Sequence, residues 1–290
     1  MEVILVRYCE IGLKSDPVRR RFEGILRRNM IDMLANDSVE AIVTRSNARL
    51  YVRTDDVDGA VRSLKKVFGI ASLSVATVCD AGMDSIRSLV SEVSRDLLLP
   101  GETFAIDARR DGGNYGYTSM DLEREMGSVV LEANKDKNIK VRLNDPDRTI
   151  FIEVRSNKAY VFTSYIRCHA GLPLGSQGSV LAYVNDNRGL VSAWLMMKRG
   201  CKVIVCGDHG SDLLRKYDPH LKKIDVDSVI PDKVLGYVSG NGLDKIQTMD
   251  NSGLPIFVPT IGMHDGTITG LLTQMRDDRI EAVAPVYHRI

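Results

Sequence analysis

The chain has 290 residues, 44% apolar and 27% charged, ordinary values for a globular protein of about two domains or three small ones. They exclude a disordered chain, a collagen and a disulfide-stapled miniprotein. The 39 basic and 38 acidic side chains leave a net charge of +1, so affinity for a polyanion must come from uneven placement of charge.

In chain order, residues 3–8 are a short β-branched apolar run that predicts a buried strand. Ser15-Asp16-Pro17 offers a helix cap and a first-turn proline. Val18, Phe22, Ile25, Leu26, Met30 and Met33 then recur at helical spacing and predict a helix over 17–34. Residues 40–45 and 49–53 read as strands joined by a turn at Ser46-Asn47, 57–67 as a helix and 70–78 as a strand. The order βαββαβ is the ferredoxin-like, split-βαβ pattern.

A second unit follows. It has helices over 85–98 and 118–135, the latter opened by a Thr118–Asp121 capping box. Residues 103–109 form an alternating strand, and 149–154 with 159–166 form a hairpin around Ser156-Asn157. Gly171-Leu172-Pro173-Leu174-Gly175 interrupts the pattern. Beyond it come strands at 180–184, 202–206, 233–238 and 255–259, and helices at 189–198, 211–217 and 266–276. Strand-then-helix alternation predicts a parallel sheet with crossover helices. The expected division is 1–80, 81–170, a linker at 171–178, and a small α/β unit at 179–290, in a mixed α/β (α+β) protein.

No apolar run approaches the roughly 20 residues that cross a bilayer, and Met1 to Arg7 is too short and too charged for a secretion signal. Cys9, Cys79, Cys168, Cys201 and Cys206 are scattered and contain no C-x-x-C, which fits a cytoplasmic protein with reduced thiols and no structural zinc.

Charge is gathered first on the opening helix. Lys14, Arg19, Arg20, Arg21, Arg27 and Arg28 share residues 14–28 with only two acids, Asp16 and Glu23. Taken alone, this is equally a solvated helix face or a footprint for a phosphate backbone. A second basic group, Arg109, Arg110, Lys137, Lys140, Arg142, Arg148 and Arg167, tips the reading toward nucleic acid. Tyr115 and Tyr117 beside Gly112-Gly113 either stack on bases or pack a rigid turn. The junction Asn185-Asp186-Asn187-Arg188-Gly189 lies between a strand and a helix, where parallel-sheet proteins hold phosphate. Gly189 is the only glycine in that turn and Asp186 would repel an anion, so helix capping is the more economical role. Cys201 and Cys206 are expected as buried apolar residues facing opposite ways. Cys168-His169 gains nothing from adjacency in sequence. The five histidines lack metal-ligand spacing, and His264-Asp265 reads as loop packing rather than a proton shuttle.

Longer motifs then stand out. Tyr8-Cys9-Glu10-Ile11-Gly12-Leu13-Lys14-Ser15, with Arg21-Phe22 and Leu26-x-x-Asn29, resembles the opening of the tRNA 4-thiouridine synthase family. Arg109-Arg110, Ser119-Met120-Asp121-Leu122-Glu123-Arg124 and Val141-x-Leu143-Asn144-Asp145-Pro146-Asp147 resemble its THUMP domain, and Gly171 to Gln177 continues the similarity. The resemblance implies a ferredoxin-like domain, a tRNA-recognising THUMP domain and a shortened adenine-nucleotide-hydrolase-like (pyrophosphatase-loop) α/β domain. It places Lys14, Arg19, Arg21, Arg109, Arg110, Arg124 and Arg142 near the tRNA; Arg20, Arg27, Arg28 and Lys140 join them by charge.

Active members carry Ser-Gly-Gly-x-Asp-Ser where this chain has Val184-Asn185-Asp186-Asn187-Arg188-Gly189, and Gly240-Asn241-Gly242 to Thr248 resembles their next segment only loosely. The expectation is therefore a tRNA-acceptor-binding protein that has lost uridine adenylation and acts with a separate adenylating or sulfur-transfer enzyme; the family resemblance implies a homodimer. Two alternatives stand: an active ATP- and Mg²⁺-dependent uridine sulfurtransferase, and a non-catalytic protein-interaction scaffold.

Overall fold

The computed structural model describes residues 2–46, 49–225, 233–242, 245, 253–277 and 282–283. Asn47, His288 and most of the 243–248 segment singled out above lie outside them. No described helix is long and apolar enough to cross a membrane.

Strand β1 (Glu2–Arg7), helix α1 (Asp16–Asn36), β2 (Ile42–Ser46), β3 (Arg49–Arg53), α2 (Val57–Lys65) and β4 (Ser72–Asp80) follow the expected βαββαβ order. The α1 stripe is buried from Phe22 onward through Leu26, Met30 and Met33, whereas Val18 in the first turn is exposed. Burying a side chain such as Leu26 contributes about 1.5–3 kcal/mol. Ser15 occupies the N-cap of α1 but its hydroxyl makes no capping bond; Asp16 instead pairs with Arg19 at 2.7 Å.

Next come α3 (Met83–Leu97), β5 (Thr103–Arg110), α4 (Ser119–Ala133), β6 (Lys140–Val141), β7 (Arg148–Arg155), β8 (Lys158–Phe162) and β9 (Tyr165–Arg167). The Thr118–Asp121 capping box closes α4 as expected. The predicted strand 159–166 is interrupted at Thr163-Ser164. There the Ser164 carbonyl accepts a bond from the Ser74 hydroxyl, and β8 and β9 then pair separately with β4.

That pairing joins the first two units into one sheet, ordered β2-β3-β1-β4-β8-β7-β5-β6. β4 gives one edge to β1 and the other to β8 and β9. Period-2 alternation sends Ile4, Val6 and Leu73 toward α1 and α2, and Ile150, Ile152 and Val161 toward α3 and α4. The opposite face collects Val3, Leu5, Tyr51, Phe151, Phe162 and Tyr165. Arg7 crosses this face over the rings of Phe162 and Tyr165 and reaches Glu153 at 2.7 Å, both charges being almost fully buried. Burial pushes the Glu153 carboxyl up, but Arg7, Arg49 and Arg155 outweigh it and hold it below the usual carboxylate range.

The third sheet is wholly parallel, β12-β11-β10-β13-β14, from β10 (Ser179–Tyr183), β11 (Lys202–Cys206), β12 (Lys222–Ile224), β13 (Val234–Val238) and β14 (Ile256–Phe257). Helices α5 (Asn187–Lys198), α6 (Ser211–Arg215) and α7 (Asp265–Arg276) supply Trp194, Leu214 and Leu272 to one cluster with Val180, Val203 and Val238. The other sheet face holds Leu181, Ile204 and Tyr237. A last strand, β15 (Ala282–Val283), adds to β9.

Residues 171–178 run as a packed strap. Gly171 has φ +80°, and a Cβ there would stand 2.2 Å from the Lys198 carbonyl oxygen, so only glycine fits. The Leu172 and Gln177 amides donate to the Lys198 and Gly200 carbonyls, and Asn29 on α1 donates to the Leu174 carbonyl. Phe68, from the loop after α2, lies inside the third unit's core against Tyr217 and Trp194.

Candidate nucleic-acid interface

The buried stripe of α1 turns its cations outward. Lys14, Arg20, Arg21 and Arg28 are exposed and form no ion pair with another described residue. Arg19 is held by Asp16, and Arg27 Nε donates to the Val43 carbonyl at 3.0 Å, lying along the β2 edge. Leu13, 89% exposed, stands beside Lys14 on the 3-10 turn Glu10–Leu13. Behind it the Tyr8 hydroxyl donates to the buried Glu23, which also pairs with Arg45. The two acids of this stretch, Asp16 and Glu23, are thus taken up locally.

On the second unit, Arg124, Lys140 and Arg142 are exposed around a groove of about 380 Å³ between α4 and the β6 edge. Exposed Met120, Leu131, Val141 and Leu143 line it with Arg124. These apolar residues were missed as site candidates. Their signal was available: Met120 and Leu131 fall off the buried Leu122–Met126–Val130 stripe, so helical geometry leaves them facing out. Arg109 is drawn to Asp107 at 3.4 Å, and Arg110 donates to the Gly113 carbonyl. Tyr115 and Tyr117 stack on each other, their hydroxyls donating to Asp111 and to the Ala81 carbonyl, which is the rigid-turn role.

The loop before α5 is satisfied from within. Asp186 is the N-cap, its carboxylate accepting the Gly189 amide at 2.7 Å. Arg188 donates to the Met263 carbonyl and pairs with Asp265, both at 2.8 Å, and Asn187 bonds His209. A Cβ on Gly240 would stand 2.3 Å from the Gly189 amide, so that backbone closes directly over the helix end. A cleft of about 480 Å³, bordered by Asp186, Arg188, Asn241, Lys245 and His264, opens beside it. A phosphate needs free amides at such a helix end. Here the Gly189 amide is taken up by the Asp186 carboxylate, and Arg188 is turned onto Met263 and Asp265.

Among the described residues no group of three or more His, Cys, Asp or Glu is placed to hold a metal. Cys201 and Cys206 are buried on opposite faces of the third sheet. Cys168 packs against the first unit's core and burial pushes its thiol up to about 12, while His169 turns to the third unit's aromatic core. The two do not form a nucleophile–base pair.

Residues 3–74 match the family model of the ThiI ferredoxin-like domain, and residues 80–164 match that of the THUMP domain. A probable tRNA sulfurtransferase of Methanosarcina mazei is 37% identical over 206 residues, covering 70% of this chain and 50% of that protein. The Thermococcus kodakarensis protein of the same description is 35% identical, covering 76% and 60%. The chain thus spans about half the length of the curated relatives it matches. Among solved structures, PH1313 from Pyrococcus horikoshii superposes with a TM-score of 0.81 at 26% identity, over 95% of this chain and 100% of that one. A 4-thiouridine synthetase, solved as an RNA complex with bound ATP, shares the fold with a TM-score of 0.74 at 21% identity, over 95% and 85%. Through its ThiI ferredoxin-like and THUMP domains, the chain belongs to the tRNA sulfurtransferase family.

Proposed function

We propose that this chain is a cytoplasmic tRNA-binding member of its family in which the third unit no longer adenylates uridine. Unpaired cations on α1 neutralise phosphates of the acceptor region, and the α4–β6 groove receives unstacked bases against Met120, Val141 and Leu143. The observation that carries this reading is the pairing of two outward cation sets with an apolar groove on one continuous sheet. In this reading the units divide at about residues 80 and 171–178, consistent with separate helix-side cores. Sulfur transfer then falls to a separate adenylating or sulfur-donating enzyme, and the chain works alone or as a homodimer.

Filter binding of bulk tRNA across a salt series tests the first half. Replacing Arg21 and Arg28 by Ala should weaken binding and lower the slope of log affinity against log salt by about 1 per cation removed. Unchanged affinity at low salt would place the footprint elsewhere and favour the scaffold alternative.

The second reading, an active ATP- and Mg²⁺-dependent uridine 4-sulfurtransferase, is favoured by one observation. The cleft beside Asp186 lies at the carboxyl ends of β10 and β13, where the strand order reverses. Calorimetric titration with MgATP, with and without tRNA, separates the two. Micromolar binding would overturn the loss of adenylation.

A further inference from the structure

Among the described residues no large apolar side chain stands further out of the fold than Leu13, which is 89% exposed. Its backbone is nevertheless fixed. The 3-10 turn Glu10–Leu13 packs on α1, with Ile11 inside the first unit's core. The Gly12 amide donates to the Cys9 carbonyl at 3.1 Å and the Lys14 amide to the Ile11 carbonyl at 3.2 Å. Just before the turn, Tyr8 donates to Glu23, which Arg45 also holds. The turn thus buries Ile11 and holds Leu13 out, and a Cβ added at Gly12 between them would meet no atom within 4 Å. Val18, on the first turn of α1, is exposed as well.

The charge at this end of the unit is cationic. Lys14 is the next residue, and Arg20 and Arg21 follow on α1, all three exposed and without an ion pair to another described residue. Of the acids, Asp16 is held by Arg19 at 2.7 Å, Glu23 is buried with Tyr8 and Arg45, and Glu10 is half-buried in the turn. A single exposed leucine is ordinary on a protein surface. One held rigidly among unpaired cations is complementary to an apolar surface with negative charge beside it, and the face of a nucleobase flanked by its phosphates is such a surface. A purely apolar partner would instead cover those cations without pairing them, which costs free energy.

We propose that Leu13 is a wedge that packs on the face of a base in the bound RNA, while Lys14, Arg20 and Arg21 hold the phosphates on either side. This rests on the tRNA-binding reading above and goes beyond it. The cations give affinity at any stretch of backbone, whereas the wedge registers the protein where a base face lies open. Two sources offer such a face, the terminal base pair of a stem and an unpaired base.

The test uses the full chain with a tRNA transcript, a blunt-ended RNA hairpin and the same hairpin carrying a short 3′ single-stranded tail. Leu13→Ala should weaken tRNA binding about tenfold, as loss of one base-stacking contact does. The factor should be the same at every salt concentration, because this side chain releases no counterions. Leu13→Met keeps the apolar bulk and should stay within about twofold of the parent. Leu13→Trp places an indole at the tip, the other tryptophan, Trp194, being fully buried. Its emission should be quenched by tRNA, with no comparable change in the parent chain. Quenching by the blunt hairpin assigns the base to a stem end; quenching by the tailed hairpin or the tRNA without the blunt one assigns it to an unpaired base. Because Leu13 is almost wholly exposed, none of these variants should move the unfolding midpoint. Parent-like affinity in Leu13→Ala, a loss that varies with salt, an unquenched indole or a lowered midpoint each overturn the proposal. If the Arg21 and Arg28 variant loses binding and Leu13→Ala does not, the wedge fails and the tRNA reading stands; if the parent chain binds no tRNA, both fall.

Discussion

In the joined sheet of the first two units, the α1 cations face outward, while Arg7 and Arg49 of the first half are drawn onto the buried Glu153 of the second. In the parallel sheet of the third unit, the side chains where a ligand would sit are turned onto the protein. Lys14, Arg20, Arg21 and Arg28 are left open to solvent, whereas Asp186 and Arg188 are bonded to Gly189, Met263 and Asp265. Charge becomes a site only where the fold leaves it unsatisfied. A helix end that caps itself spends one of its free amides on its own side chain, as Gly189 does on Asp186.

The sharpest way to break this contrast is at Glu153. Glu153→Gln leaves Arg7 buried without its partner charge and should cost about 3–5 kcal/mol, read by urea or thermal unfolding. The same pair gives a pH signature. Because the folded carboxyl lies below its ordinary value, its stabilisation is present at neutral pH and is lost only as pH falls through the depressed folded value. A loss of less than about 1 kcal/mol in Glu153→Gln would show that the β4–β8 ladder alone holds the units together.

His169 sharpens the contrast at the junction with the third unit. Its folded value, about 4, is below the ordinary 6.5, so between those pH values the unfolded chain binds a proton that the folded chain excludes. Stability should fall by up to about 3 kcal/mol as pH drops across that window and be flat above it. The drop should largely vanish in His169→Gln, measured by denaturant unfolding at each pH.

Asp186→Ala removes the α5 cap and should cost about 1 kcal/mol, with Asp186→Asn costing far less because the amide oxygen still accepts. Equal losses in the two variants would mean that the carboxylate acts through its charge rather than as a cap. The smallest effect is chemical. Exposed Cys9 should alkylate at least about tenfold faster than Cys168, Cys201 or Cys206, which are buried or half-buried and whose thiols burial holds above the ordinary value. Mass mapping after brief iodoacetamide treatment reads this directly.

Much of this was legible in the residues themselves. The α1 stripe, the Thr118–Asp121 box, the hairpin at Ser156-Asn157 and the β10–α5–β11 alternation are local patterns, set by spacing and turn chemistry, and the helices and strands follow them. That one of Asn185, Asp186 and Asn187 would cap α5 was readable for the same reason, since a cap and its amide are three residues apart; the structure assigns the role to Asp186. Arg19 and Arg27 were less readable. Their cationic character is obvious, but whether a given arginine faces solvent depends on Asp16 one turn away and on a β2 carbonyl 16 residues on.

The sequence by itself determined the secondary elements, the basic faces and the substituted loop, because each depends on neighbours within a turn or two of the chain. Only the tertiary structure decided that β4 would share its edges between two units, that Arg7 would find Glu153 across 146 residues, and that Phe68 would be buried in the third unit. It also decided that His169 would pack against Phe68, Trp194 and Tyr217 where the first and third units meet. Such contacts depend on which surfaces exclude water together, and no local period in the chain encodes that.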